Sequence, residues 1–561
     1  MRIILFLVFF ISFLSQGQSN YPQDYFSAPL DIPIVLSGTF AELRSNHFHS
    51  GMDIKTQNRT GLHVLASANG YVSRIKVSHW GYGKALYITH PNGYTTVYGH
   101  LSKFAPEIEA YIKKRQYEQE SYEIEDFPKA GVLNVTQGSL IAYSGNTGGS
   151  GGPHLHFEIR DKEERPMNPM LFGIDSPDSK NPVIKSIYVF PLDDTSFING
   201  KNSKQKLLLA PLKGGDYTTE NIDAIGHIGF GIETIDRLDL APNSNGVYNI
   251  QSFVNGTQNY ELDFKRFSFS ETKYINQLID YETYTTSKKR IQKLFKINNP
   301  LSIIKPLVND GIVKVQDQMS MVYKIRVSDF KSNSSWVTIH INGKTDSLAQ
   351  AEAPIVTPYF INANQTTNLK EGRVSVDFYK DTFYEDFYMD FEVKNDTVKL
   401  HEDTKATKKN FKITFDVSHY KEADRSKLYI AQLIGHNQKP SYTSTKHEGN
   451  FLVGNAKNLG IYTIASDTVA PTIKPVNFKN EQWISNHSEL KIKISDDASG
   501  ISKYRATING KWILMEYEYK NNTLTYHFSD DIISETKNNL KLIVTDNVGN
   551  NSTFEALFYR K

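Results

Sequence analysis

The chain of 561 residues contains no cysteine. That excludes a disulfide framework and thiol chemistry, and it leaves nitrogen and oxygen as the ligands of any metal site. A charge excess of either sign is also missing: 63 Lys and Arg against 61 Asp and Glu leave a net charge of +2. With no basic run or stripe, nucleic acid is not expected as the main partner. Beyond the N-terminus, no apolar stretch reaches the ~20 residues that a spanning helix needs. There is no H-E-x-x-H for a helix-borne zinc site and no Walker loop for phosphate. Ser102 and Ser144 have no base patterned beside them.

What is present is an ordinary share of apolar (39%) and charged (22%) residues, with 32 Tyr and 32 Phe. Such composition supports packed cores, and the aromatic content favours strands. The length is that of about three to five domains. At the N-terminus Arg2 precedes an almost wholly apolar run from Ile3 to Leu14, and Ser15-Gln-Gly17 supplies small residues. This reads as a secretory signal peptide over residues 1–17; an uncleaved anchor is the other reading. A lipoprotein signal is excluded by the missing cysteine. The expected product is exported, to the periplasm, the cell envelope or beyond, with no stable membrane span after cleavage.

The expected fold is mostly β. An antiparallel β-sheet domain over 21–175 is followed by several β-sandwich, Ig-like domains. Their expected limits are 180–344, 345–466 and 467–561. Half of the 16 histidines fall in the first unit: His47, His49, His63, His79, His90, His100, His154 and His156. Asn92-Gly93 between two alternating runs predicts a tight hairpin turn with positive φ. Ile108, Tyr111 and Ile112 at helical spacing after Pro106 predict a short amphipathic helix over 106–124. A second helix is expected near 271–279. Asp175 to Pro182 and Asp467 to Thr472 read as linkers. Ile325–Asp329 followed by Asn333-Ser-Ser, and Leu542–Asp546 followed by Gly549-Asn-Asn-Ser552, echo one another as a strand, an Asp-initiated turn and a closing strand.

Three motifs carry chemistry. In Pro153-His154-Leu-His156 a strand would point both imidazoles the same way, with Leu155, Phe157 and Ile159 turned into a core. The glycine-rich run 145–152 before it allows unusual backbone angles and close approach. His49-Ser-Gly-Met-Asp53 places imidazole and carboxylate four apart, on a helix face or, given Gly51 and the strand-rich surroundings, in a turn. His100 follows the strand ending in Tyr98-Gly99 and could be a ligand, a base or a surface histidine. The remaining four histidines have no pattern around them.

Together, His49-x-x-x-Asp53, Tyr98-Gly-His100-Leu-Ser102, Ser144-Gly-Asn-Thr-Gly148 and His154-Leu-His156 resemble the lysostaphin-type (LytM-like) zinc metalloendopeptidases over about residues 35–172. The resemblance implies one Zn2+, held by His49, Asp53 and His156, with His100 and His154 as the catalytic pair. It implies hydrolysis of peptide cross-links in bacterial peptidoglycan by a zinc-activated water. The division of labour between His100 and His154 is left open. The stretch between Ser102 and Gly138 is longer than the family pattern, and the helix within it could form a groove wall or a lid. An envelope scaffold or activator of other wall hydrolases is the alternative function. Through the C-terminal β domains, an envelope protein is a further expected partner.

Overall fold

The computed structural model describes residues 21–305, 308–345 and 355–561; the expected signal peptide lies outside the described residues. The first unit is built from short strands: β1 (Leu36–Gly38), β2 (Met52–Lys55), β3 (His63–Leu65), β4 (Gly70–Val77), β5 (Lys84–Thr89) and β6 (Thr95–Leu101). They are followed by β7 (Lys103–Phe104), helix α1 (Pro106–Gln119), β8 (Ile124–Asp126), β9 (Asn134–Val135), β10 (Leu140–Tyr143), β11 (His154–Arg160) and β12 (Pro166–Met167). The main antiparallel sheet runs β1-β2-β11-β6-β5-β4-β8, with β9 and β12 at its margins, and β3-β10-β7 forms a smaller sheet. Ile54, Val72, Ile75, Leu86, Tyr98, Leu155, Phe157 and Ile141 share the core between them, all at 0% exposure.

Local chemistry explains the departures from expectation. The β5–β6 turn uses positive φ only at Gly93 (+85°). Gly93 N–H donates to His90 O and His90 N–H to Tyr94 O, so the loop spans three residues rather than two. Helix α1 ends at Gln119, five residues short of the expected limit. Glu120 turns left-handed there, and its N–H reaches back to Gln116 and Tyr117 carbonyls, a C-terminal stop that periodicity alone does not signal. Near 271–279 a 3-10 turn at Thr272–Tyr274 leads into a short helix, Ile275–Leu278.

Downstream the chain remains β. A large sheet covers strands from Val183–Pro191 to Ser334–Gly343, and it is mixed, because Ser334–Gly343 pairs in parallel with Ile222–Ile235. Two five-stranded sheets enclose a core of Val376, Phe411, Phe415 and Ile430. A four- and a five-stranded sheet enclose Leu490, Ile492, Leu542 and Phe558. The two echoed segments form antiparallel hairpins, and in each the aspartate accepts the N–H four residues on, Asn333 for Asp329 and Asn550 for Asp546. No helix among the described residues is long and apolar enough to cross a membrane.

Residues far along the chain pack against the first unit. Phe40 and Phe48, which flank the loop leading to His49, both pack on Phe267 with ring centroids 5.3 Å apart. Leu514 also enters the first unit's core.

Candidate metal centre

Side chains of a strand alternate between faces. His154, His156, Glu158 and Arg160 therefore share one face of β11, while Leu155, Phe157 and Ile159 fill the core beneath. Asp53 of β2 lies directly opposite His156 in the antiparallel ladder, which brings its carboxylate to the same face. His49 comes from the irregular segment just before β2, so its spacing to Asp53 is bridged by a loop, not a helix. Gly51 makes that loop fit: a Cβ there would lie 2.2 Å from Phe157 O.

His100 arrives by a different device. Lys84 and Leu86 of β5 pair with Leu101 and Tyr98 of β6, so β6 carries one extra residue. Because His156 pairs with Gly99, simple alternation would turn His100 away from the site. The bulge and a left-handed φ of +58° at His100 redirect it. Such backbone costs on the order of 1 kcal/mol or more. The ring centre then lies 4.7 Å from that of His154 and 5.9 Å from that of His156. The sequence-predicted set His49, Asp53, His100, His154 and His156 thus converges on one place. His47, His63, His79 and His90 have other neighbours: Ser45 O, Tyr143, Tyr122, and Asn69 O with Thr96.

Each imidazole has one nitrogen committed outward. His49 Nδ1–H donates to Thr39 O at 2.7 Å, His100 Nδ1–H to Thr147 O at 2.8 Å and His154 Nδ1–H to Gly152 O at 2.8 Å. His156 is reversed: Nε2–H donates to Glu158 Oε1 at 2.8 Å and Nδ1 faces the centre. These bonds fix the tautomers. His49 Nε2, Asp53 Oδ1 and His156 Nδ1 then stand 3.0–3.1 Å from one another. His154 Nε2 is 3.4 Å from the same Asp53 oxygen. Arg44 Nη2 holds the other Asp53 oxygen at 3.3 Å.

Burial opposes the charge on Asp53, but His49, His154 and His156 outweigh it and hold its pKa well below the usual range. Burial likewise opposes protonation of His156, yet Asp53 and Glu158 lift its pKa to about 9. His100 goes the other way, down to about 3, through burial and the neighbouring His156 and His154.

The donor set fits a cation. As neutral rings with their N–H groups turned outward, His49 and His156 present lone pairs to each other and to a carboxylate oxygen, three acceptors that need a proton, such as the one the raised His156 pKa retains, or a metal between them. Two imidazoles and one carboxylate suit a borderline metal such as zinc and leave room for a further ligand. Two other close carboxylate groups among the described residues, Asp178/Asp236/Asp329 and Asp467/Asp496/Asp546, offer no nitrogen.

Several residues around the centre escape the sequence reading. Glu158 is fully buried and held by Arg160 Nε at 2.6 Å, Ser50 Oγ at 2.7 Å and the Tyr82 hydroxyl. The alternation that pairs His154 with His156 extends to Glu158 and Arg160, so that signal is in the sequence. Tyr82, whose ring stacks on His156 at 4.8 Å, has no such signal. Gly148–Gly152 also spells G-x-S-x-G, the frame of a nucleophile elbow. Ser150 instead occupies an irregular loop leading into a strand, and its hydroxyl donates to Gly152 O at 2.8 Å.

Comparison with known proteins agrees on the first unit. The model of peptidase family M23 matches residues 47–117 and 131–169; the unmatched 118–130 begins at the end of α1, so most of the helix lies within the match. A Zu5-like domain matches residues 358–467. The chain is 32% identical over 181 residues to the DD-carboxypeptidase/endopeptidase Mpg of Neisseria meningitidis serogroup B, covering 32% of this chain and 33% of that protein. It is 33% identical over 126 residues to the peptidoglycan DD-endopeptidase ShyA of Vibrio cholerae, covering 22% and 23%. The catalytic domain of lysostaphin from Staphylococcus simulans is 24% identical, overlapping 25% of this chain and 90% of that domain with a TM-score of 0.19. The chain spans a third or less of the length of these curated relatives. The chain therefore carries a peptidase family M23 domain, matched over residues 47–117 and 131–169.

Proposed function

We propose that the protein is an exported zinc metalloendopeptidase that hydrolyses peptide cross-links of bacterial peptidoglycan. The observation that carries this reading is the convergence of His49 Nε2, Asp53 Oδ1 and His156 Nδ1 within about hydrogen-bond distance, with each ring's N–H turned away. The relative named as a peptidoglycan DD-endopeptidase supports the substrate class.

His49, Asp53 and His156 would hold the metal. Zinc bound there supplies Lewis acidity, lowering the pKa of water towards ~7 and polarising the scissile carbonyl. His100 and His154 handle protons. Both rings are anchored at Nδ1, so both present Nε2 to the reacting groups. His100 enters the cycle neutral, since burial keeps its pKa near 3. Between them the rings take a proton from the attacking water and return one to the leaving amine. Once a ring has taken that proton at Nε2, the N–H so formed can also stabilise the developing oxyanion.

The test is mass spectrometry of muropeptides released from purified sacculi, with metal content measured on the same protein and His154→Ala as control. New cross-link products that vanish with chelator and in the control are expected. The same products at the same rate from His154→Ala would overturn the catalytic assignment. A metal-free protein that releases nothing but accelerates another hydrolase would support the scaffold role instead.

A further inference from the structure

Residues 516–530 contact the first unit at several places, among them α1 and the glycine-rich loop. At α1, Asp530 accepts from Lys113 Nζ at 2.5 Å and from the Tyr117 hydroxyl at 2.7 Å. Nearer the metal centre, the turn between Glu516–Glu518 and Thr523–His527 lies on the glycine-rich loop. There Tyr519 packs on Trp80 with ring centroids 4.0 Å apart, and its hydroxyl donates to Gly148 O at 3.2 Å. Lys520 Nζ donates to Asn146 O, to Gly148 O at 3.2 Å and to Ser150 O at 3.4 Å. An ammonium has three N–H donors, and here each meets a different carbonyl of one loop.

That loop orients both histidines. Thr147 O, inside the cradle, accepts His100 Nδ1–H at 2.8 Å. Ser150 Oγ lies 3.2 Å from His154 Nδ1, and Gly152 O accepts from the same nitrogen. The loop depends on glycine for its shape: Gly148 has φ +69°, and a Cβ there would come within 2.4 Å of Gly81 O. Glycine-rich backbone is intrinsically loose, so its position must be imposed by neighbours. Thr147 Oγ1 is held by Lys84 N–H and Leu101 O. The alternate carbonyls, those of Asn146, Gly148 and Ser150, are gathered by Lys520.

From this arrangement we infer that Lys520, some 370 residues beyond the loop it grips, is a positioning residue for His100 and His154. It acts through the 146–150 backbone and touches neither ring. The effect on catalysis rests on the peptidase reading; the effect on the rings does not.

The test uses the full chain with Lys520→Met and Lys520→Arg. Two readouts are needed: kcat and KM for muropeptide release across pH, and the ring resonances of His100 and His154 in 15N-histidine-labelled protein. Lys520→Met is expected to lower kcat about 10–100-fold with KM and metal content little changed, and to shift both rings' resonances. Lys520→Arg, which retains the charge, should recover part of both. Unchanged resonances together with unchanged kcat would overturn the inference. Shifted resonances in a protein that releases no muropeptides, wild type included, would uphold the positioning role and remove the substrate reading instead. A kcat loss explained wholly by lost metal, with the rings undisturbed, would also overturn it.

Discussion

Glu158 Oε1 accepts Nε2–H of His156 at 2.8 Å, and this bond decides which nitrogen of His156 faces Asp53. Arg160 keeps the carboxylate charged although burial opposes it, so the Glu158 pKa stays below the usual range. Glu158→Gln retains the shape but can present an N–H in place of the acceptor. Metal affinity should fall about 10–100-fold, measured by competition with a chromophoric chelator.

The five inward residues should separate into two classes. His49→Ala, Asp53→Ala and His156→Ala should lose bound metal and all activity. His100→Ala and His154→Ala should keep stoichiometric metal while kcat falls about 10²–10⁴-fold. Elemental analysis beside muropeptide release distinguishes the classes, and a His100→Ala protein that lost its metal would move His100 into the first.

Lys84 and Glu516 form an ion pair at 2.9 Å, with the lysine side chain only 6% exposed. Burial opposes the lysine's charge, but Glu516 outweighs it and its pKa rises. Removing one partner strands the other. Lys84→Met should cost about 3 kcal/mol in urea unfolding, and Lys84→Met with Glu516→Leu should cost clearly less than the single substitution.

Asp236 is raised to about 7 and Asp329 to about 6, each by burial first, then by neighbouring carboxylates, Asp178 among them. A carboxyl whose folded pKa lies above its unfolded value stabilises the fold fully below the unfolded pKa. That stabilisation is lost as pH rises towards the folded pKa. Wild type should therefore lose stability relative to Asp236→Asn between about pH 4 and pH 7, by up to about 4 kcal/mol. Denaturation of both proteins at several pH values gives the difference directly; a pH-independent gap would refute the assignment.

Much of the centre is legible in the sequence because it rests on strand geometry. The period of two that puts His154 beside His156 is a local property, and Asp53 needs only a register between two short strands. His100 is different. Its motif marks it, but its direction comes from a bulge and a left-handed residue, which contradict alternation and cannot be read from Tyr98-Gly-His100. Tyr82 and Lys520 are invisible for another reason: their roles come from partners 76 and about 370 residues away. The helix after Pro106 is legible by its period. What it is for is not, since Lys113 and Tyr117 have meaning only once Asp530 is beside them.

The pairing of Lys84 with Glu516 spans 432 residues. Contacts of such separation form late, because the intervening chain must first be ordered. The strands of the first sheet all lie within residues 36–167, yet the cradle around Asn146, Gly148 and Ser150 is incomplete until Lys520 is in place. On the peptidase reading, hydrolytic competence would then follow completion of the chain: without Lys520 the Asn146, Gly148 and Ser150 carbonyls lose their common donor even with every histidine present.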